Sequence, residues 1–327
     1  DRVFVPIEAL GLISRHSSAE AGAVILDKLG GTAWQARRAK IKKDLLAIAG
    51  DLIKTAAARD LLQKEPLPTP VGLYADFANT FAYQTTPEQQ TAIDAVLADM
   101  AEPHPMDRLI IGDVGFGKTE VALRAAMVAV GNNKQVAIIA PTTLLARQHA
   151  EVFSQRFAGF AVTIKPLSRL VSAKQAKETK HTLAEGKVDI VIGTHALLAK
   201  DIKFKNLGLL VIDEEQRFGV THKEKLKTLK ANVDVLTLSA TPIPRTLHMA
   251  TGGLKKLSTI TTPPVDRLAV RSFVLPWDPK TMREAVLREL HRGGQVYIVT
   301  PRVQDIPKLS EAITTLVPEA KVQSAHG

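Results

Sequence analysis

The sequence predicts an α/β protein built on a doubly wound, parallel sheet. Three observations carry that reading. Gly112-Asp113-Val114-Gly115-Phe116-Gly117-Lys118-Thr119 fits the phosphate-loop pattern G-x-x-x-x-G-K-[ST], after an apolar run and before a helical stretch. From Phe81 onward, short apolar runs alternate with amphipathic stretches, as strands and crossover helices do. One of those runs, Leu209-Leu210-Val211-Ile212, ends in the acids Asp213, Glu214 and Glu215.

In chain order, the first stretch (DRVFVPIEALGLISR) holds β-type apolar residues broken by Pro6 and Gly11, and residues 1–16 read as the last strands of a small β module. There is no initiator Met and no basic-then-apolar leader, so the chain reads as an internal segment. Residues 17–80 read as a helical linker. After Gly30-Gly31, Thr32 and Gln35 have capping-box spacing, and Leu45, Leu46, Ala49, Leu52, Ile53 and Ala56 recur at helical intervals. The helix should fade near Glu65, before Pro66, Pro68 and Pro70. Its cluster Arg37, Arg38, Lys40, Lys42 and Lys43 is either a solvated face or a contact for DNA or a partner.

Residues 81–263 form the expected nucleotide-binding domain. The runs LIIG (109–112), QVAIIA (135–140), VTIK (162–165), VDIVIG (188–193), LLVID (209–213) and VLTLS (235–239) suit strands buried on both faces of a parallel sheet. Thr261-Thr262-Pro263-Pro264 reads as an interdomain hinge. Residues 264–327 then begin a second round, with strands at 269–276 and 295–300 around a helix marked by Met282, Val286 and Leu290.

The chain carries a net charge of +10 and no cysteine. The first favours a polyanionic partner, although a basic protein without a nucleic-acid role remains open on charge alone. The second excludes disulfides and thiolate metal sites. No apolar run reaches the roughly 20 residues of a membrane span.

In the phosphate loop, glycines let the backbone curl so that N–H groups of residues 112–119 face phosphate oxygens, helped by the N-terminus of the next helix. Lys118 should reach the β- and γ-phosphates of ATP, and the Thr119 hydroxyl should ligate Mg²⁺. A buried strand would deliver Asp213 to the carboxyl edge of the sheet, where it would hold the same Mg²⁺, with Glu214 polarising the attacking water. A carboxylate cluster at a strand end can also be a helix N-terminus without chemistry. Beside a phosphate loop, the catalytic reading is stronger.

Four further stretches separate motors from other phosphate-loop proteins. Phe81-Ala82-Tyr83 with Thr86-Pro87-Glu88-Gln89, Ala140-Pro141-Thr142-Thr143-Leu144-Leu145, Ile192-Gly193-Thr194-His195 and Ser239-Ala240-Thr241-Pro242 resemble the superfamily 2 helicases and translocases over residues 81–327. That resemblance implies a RecA-like first domain and the start of a second. It implies that Gln89 reads the adenine edge while an aromatic, Phe81, stacks nearby. Thr142, Thr143, Arg169, Gly193, Thr194 and His195 would line a DNA track through backbone phosphates. Ser239 and Thr241, extended by Arg245, would couple nucleotide state to that track. The segment around Thr86 also reads simply as a turn and N-cap of a helix starting at Pro87, and both readings hold together.

Within the superfamily, GDVGFGKTEVALRAA, IDEEQRFGVTHKEKLK and LSATPIPRTLHMA are similar to bacterial transcription-repair coupling factors and to their relative RecG. Phe116, Glu120 and the N-terminal VPIEALGLISRH and KLGGTAWQARRAK stretches favour the coupling factors. Gln216, expected in the catalytic set, stands where many relatives have His. This resemblance implies an ATP-driven translocase on double-stranded DNA, acting in the bacterial cytoplasm at the nucleoid. It would displace stalled RNA polymerase, contacted mostly through a module upstream, and recruit an excision-repair protein through regions outside this chain. The arginine that the superfamily places from its second lobe against the γ-phosphate has no match here, so these residues are expected to bind nucleotide but to hydrolyse it poorly. An unrelated phosphate-loop kinase or transporter ATPase would carry an acceptor pocket or transporter signature, and the sequence shows neither.

Overall fold

The computed structural model describes residues 35–43, 61–215, 232–241, 255–264 and 272–326, with single positions 32, 50, 57, 59, 218 and 226. Residues 1–16, Gln216 and Arg245 lie outside the described residues, as does most of the expected linker helix. Positions 35–43 are helical and exposed, including all five basic residues of the cluster. The chain divides into two compact units, Asp1–Asp266 and Arg267–Gly327.

The first unit is a seven-stranded sheet in the order β3-β4-β2-β5-β6-β1-β7, with every pairing parallel. The strands are β1 (Asp107–Gly112), β2 (Gln135–Ile139), β3 (Ile164–Leu167), β4 (Ile190–Gly193), β5 (Leu207–Asp213), β6 (Asp234–Ser239) and β7 (Lys256–Ile260). The helices are α1 (Val71–Asn79), α2 (Pro87–Ala101), α3 (Lys118–Gly131), α4 (Thr143–Arg156) and α5 (Ala173–Glu185). Six strands fall where the apolar runs predict them. The seventh, β7, is a mixed sequence, Lys-Leu-Ser-Thr-Ile, at an edge of the sheet. An edge strand with one neighbour needs no continuous apolar run, which is why the pattern does not announce it.

Side chains of the central strands alternate between two cores. Val136, Ile138, Ile190, Ile192, Leu209 and Val211 pack with α2, α3 and Phe153 of α4. Ala137, Ile139, Val191, Leu210 and Ile212 pack with Leu183 of α5 and with Leu197 and Leu198. This is the period-2 signature of strands buried on both faces. Each fully buried Ile or Leu removes apolar surface worth about 1.5–3 kcal/mol. Helix α3 is the most enclosed, with every residue from Val121 to Ala129 buried. It holds the phosphate loop against a rigid body. The first core extends N-terminally to Leu67 and Phe77, ahead of Phe81.

The start of β6 is pinned by charge. Asp234 is fully buried, accepts the Met106 N–H at 2.7 Å and lies 3.1 Å from Lys64. Arg59 donates to the Met106 and Val233 carbonyls. Burial pushes the Asp234 carboxyl up to about 6, against the opposing pull of the Met106 N–H and of Lys64.

The second unit contains α6 (Pro279–His291) and α7 (Ile306–Leu316) around a small core of Val286, Ile313 and Val317. Asp278 caps α6, and Arg283 pairs with Glu319 at 2.8 Å. The strands expected at 269–276 and 295–300 do not form among the described residues of this unit. A strand exists only as part of a ladder, and Phe273, Val274, Tyr297 and Val299 are exposed instead of paired.

Candidate nucleotide site and nucleic-acid edge

Strand register places the site. Ile111 of β1 pairs with Ser239 of β6, and Asp213 of β5 pairs with Leu238 of β6. The phosphate loop, which follows β1, and the acids, which end β5, therefore leave the same sheet edge with only β6 between them. Strands sit about 4.8 Å apart, so the two exits lie roughly 10 Å from each other. That gap suits a magnesium-bound triphosphate.

The loop has the shape its glycines predict. Gly115 and Gly117 adopt φ of 82° and 81°, where L side chains are strained. A Cβ on Gly117 would also collide with the Gln89 amide. Lys118 folds over the loop, donating to the carbonyls of Gly112 at 2.6 Å and Asp113 at 3.0 Å. The Asp113 carboxylate accepts the Val114 N–H at 2.7 Å, and Val114 faces solvent. Thr119 stands in the first turn of α3.

Glu214 sits in the left-handed region at φ 51°, strained for a non-glycine residue. Its backbone N–H donates to Leu238 at 2.9 Å. Its carboxylate accepts the Ala240 N–H at 2.9 Å and the Ser239 hydroxyl at 3.4 Å. The candidate water-polarising acid and the candidate coupling segment are thus directly bonded. Thr241 is exposed at the end of that segment.

Sequence reasoning missed His149. From α4 its Nε2 lies 2.9 Å from Asp213 Oδ2, and both side chains are largely buried. A lone His within an amphipathic helix gives no warning of a partner 64 residues away.

The candidate adenine-reading segment is preorganised by a capping box. The Thr86 hydroxyl accepts the Gln89 N–H at 3.2 Å, and Gln89 Oε1 accepts the Thr86 N–H at 3.0 Å. The same amide donates to the Phe116 carbonyl at 2.9 Å. Gln89 is therefore buried against the phosphate loop, with one donor and one acceptor position unspent. Phe81 stands beside guanidinium groups, 5.4 Å from Arg156 and 6.0 Å from Arg124, and meets Tyr83 edge-on at 5.6 Å. Both arginines bond buried Glu120, at 2.8 Å and 2.6 Å. Tyr83 is the exposed aromatic of the pair.

The track candidates occupy the other half of the edge, after β2, β3 and β4. Thr142 caps α4 by accepting the Leu145 N–H at 3.2 Å, and Thr143 is that helix's first residue. Arg169 is exposed after β3. Gly193 packs so tightly on the Leu167 carbonyl that no side chain fits. Thr194 is buried and caps the short turn beginning at His195. Its hydroxyl shapes the loop rather than facing solvent.

Among the described residues, no group of three or more His, Asp or Glu could hold a metal alone. The donor set fits Mg²⁺ nonetheless, because Mg²⁺ takes one or two protein oxygens and completes its shell with water and phosphate. No helix among the described residues is long and apolar enough to cross a membrane.

Comparison with known proteins agrees with this architecture. Over 326 residues the chain is 50% identical to the transcription-repair-coupling factor of Escherichia coli strain K12, and over 327 residues it is 49% identical to that of Bacillus subtilis strain 168. Both matches cover 100% of this chain and 28% of the relative, so the chain spans just over a quarter of each. Among solved structures, RecG bound to a three-way DNA junction superposes with a TM-score of 0.68 at 32% identity, covering 83% of this chain and 36% of that one. The helicase MrfA shares the fold at 14% identity and a TM-score of 0.54, over 78% of this chain and 42% of that one. Matched over residues 86–250, half of its length, the chain belongs to the DEAD/DEAH box helicase family, and from end to end it is similar to bacterial transcription-repair-coupling factors.

Proposed function

We propose that this chain is the nucleotide-binding motor portion of a transcription-repair-coupling factor, an ATP-driven translocase on double-stranded DNA. The observation that carries the proposal is the β5–β6–β1 register, which brings the phosphate loop and Asp213-Glu214 to one edge with the Ser239-Ala240 segment between them. The identity to coupling factors over the whole chain favours them over RecG, whose likeness covers less of the chain at lower identity.

In this reading the backbone of residues 112–119 receives the phosphates, and Lys118 exchanges its bonds to the Gly112 and Asp113 carbonyls for β- and γ-phosphate oxygens. Thr119 and Asp213 would hold Mg²⁺, which supplies charge neutralisation at the phosphates when bound. Glu214 orients and polarises the attacking water. Because Glu214 also accepts bonds from Ser239 and Ala240, a change at the γ-phosphate is felt in the segment leading to Thr241 and Arg245. Gln216 lies three residues beyond Asp213 and belongs to the same set. Thr142, Thr143, Arg169, Gly193, Thr194 and His195 present the DNA-facing half of the edge, contributing position without sequence preference.

The domain limits we propose are 1–16 for the end of a polymerase-binding β module, 17–80 for a linker, 81–263 for the first motor domain and 264–327 for the beginning of the second. RNA polymerase and an excision-repair protein would be partners of the whole protein, mostly through regions outside these residues, in the bacterial cytoplasm. By itself the chain binds nucleotide and hydrolyses it poorly. The test is steady-state ATPase of the full-length protein and of this chain, with and without duplex DNA, alongside Lys118→Ala. Full-length ATPase should vanish in the variant with the fold intact, and the chain alone should show no robust DNA-stimulated turnover. Unchanged full-length ATPase in Lys118→Ala would overturn the site.

A further inference from the structure

We propose that Glu88 is a positioning residue that fastens the chain leaving β7 to the helical turn gripping the phosphate loop, so that this exit moves with nucleotide state. The proposal rests on the motor reading above. Glu88 is the second residue of α2. Its carboxylate takes three hydrogen bonds from a segment 173 and 174 residues away: from the Thr261 N–H at 2.6 Å, the Thr262 N–H at 2.7 Å and the Thr261 hydroxyl at 2.7 Å. Among the described residues, no other side chain of that turn bonds so far along the sequence. An acid in the first turn of a helix serves the helix dipole with its oxygens in water. Here those oxygens are spent on the strand exit instead.

The neighbouring side chain makes the connection continuous. Gln89 donates to the Phe116 carbonyl and packs where Gly117 allows no Cβ. Glu88 and Gln89 thus grip the strand exit and the phosphate loop from adjacent positions of one capping box. The sheet closes the loop from the other side: Gly112 pairs with Ile260, and a Cβ on Gly112 would meet the Ile260 carbonyl at 3.0 Å. Thr261 follows Ile260 directly. A displacement of Phe116 and Gly117 is therefore transmitted through direct bonds of the turn at 86–89 to Thr261-Thr262. The three bonds to an ionised acceptor also hold the Glu88 carboxyl at about 2, led by the Thr261 hydroxyl and then the two N–H groups, so the fastening stays charged throughout the physiological range. Glu88 bonds Thr261 and Thr262 and acts through other residues.

The experiment uses the full-length protein with Glu88→Gln, Thr261→Ala and the double variant. Glu88→Gln keeps the side-chain size but removes the charge, so the two N–H bonds lose their charge assistance and an NH₂ group replaces the oxygen that accepts the Thr261 hydroxyl. Basal ATPase and affinity for a fluorescent ADP analogue should stay within about threefold of wild type, while DNA stimulation of ATPase falls about tenfold, within the usual range of a site-to-site coupling. The double variant should lose little more than Glu88→Gln alone, because Thr261→Ala removes only the hydroxyl bond, one of the three that Glu88→Gln already weakens. Hydrogen exchange of the Thr261 and Thr262 amides should slow on adding ADP in the wild type and lose that response in Glu88→Gln. A purely structural bond would lower the melting temperature without changing the stimulation ratio or the ADP response. An unchanged ratio and an unchanged exchange response in Glu88→Gln overturn the proposal, provided Lys118→Ala has abolished ATPase. Persistent ATPase in Lys118→Ala sinks the motor reading instead.

Discussion

His149 Nε2 lies 2.9 Å from Asp213 Oδ2, joining the helix that follows β2 to the acidic end of β5. An ionised carboxylate only accepts, so the ring N–H donates and fixes which way the carboxylate turns. Helix α4 begins at Thr143 in the candidate DNA track, and His149 stands less than two turns later. Partners that orient a metal ligand typically matter 10- to 100-fold. His149→Ala should therefore lower ATPase of the full-length protein about tenfold and raise the Mg²⁺ concentration needed for half-maximal rate. A Mg²⁺ titration that superimposes on wild type would show that His149 only fills space.

Gly117 answers to both backbone and packing. At φ 81° an alanine costs about 1–2 kcal/mol from the left-handed geometry alone. Its methyl group would also displace Gln89 from the Phe116 carbonyl. Gly117→Ala should lower the melting temperature modestly and abolish measurable nucleotide binding, read by a fluorescent ADP analogue. Gly159→Ala makes a control, since it shares a positive φ of 90° with no atom near the added methyl. That variant should lose stability alone.

The two halves of the track separate under mutation. Thr194 is a buried cap, so Thr194→Ala should cost about 1 kcal/mol of stability, seen as a shifted denaturation midpoint. Arg169 is exposed, so Arg169→Ala should leave stability alone and reduce the slope of log affinity against log salt for duplex DNA by about 1. An unchanged slope would remove Arg169 from the track.

Asp234 sets a pH dependence of stability. Its folded-state value of about 6 lies above the ordinary 3.8, so the folded protein binds this proton more tightly than the unfolded chain. The contribution is fully present below pH of about 3.8 and is lost as pH rises through about 6. Melting temperatures measured from pH 4 to 7 should show Asp234→Asn with less decline over that window than wild type. Parallel curves would mean that Lys64 holds Asp234 charged in the folded state.

What the sequence makes legible is what repeats or follows a local rule. The six apolar runs map onto six strands because burial on both faces leaves a continuous signal, and the phosphate loop shows itself through glycine geometry within eight residues. β7 escapes because an edge strand tolerates Lys256 and Ser258. His149 and Arg156 escape because their partners, Asp213 and Glu120, lie 64 and 36 residues away and meet them only after folding. The apolar segment at 295–300 reads as a strand, yet propensity alone does not make one without a ladder partner, and among the described residues none forms there. Thr194 shows the converse: the loop position is as expected, but the hydroxyl serves the backbone.

The account stands or falls on the convergence of the β1 and β5 exits upon one metal-bound nucleotide. The most direct measurement is a crystal structure of the full-length protein with Mn²⁺ and a non-hydrolysable ATP analogue, with the metal located by its anomalous signal. One peak is expected about 2.1 Å from the Thr119 hydroxyl oxygen, between it and the Asp213 carboxylate. A nucleotide-bound metal away from both residues would contradict it.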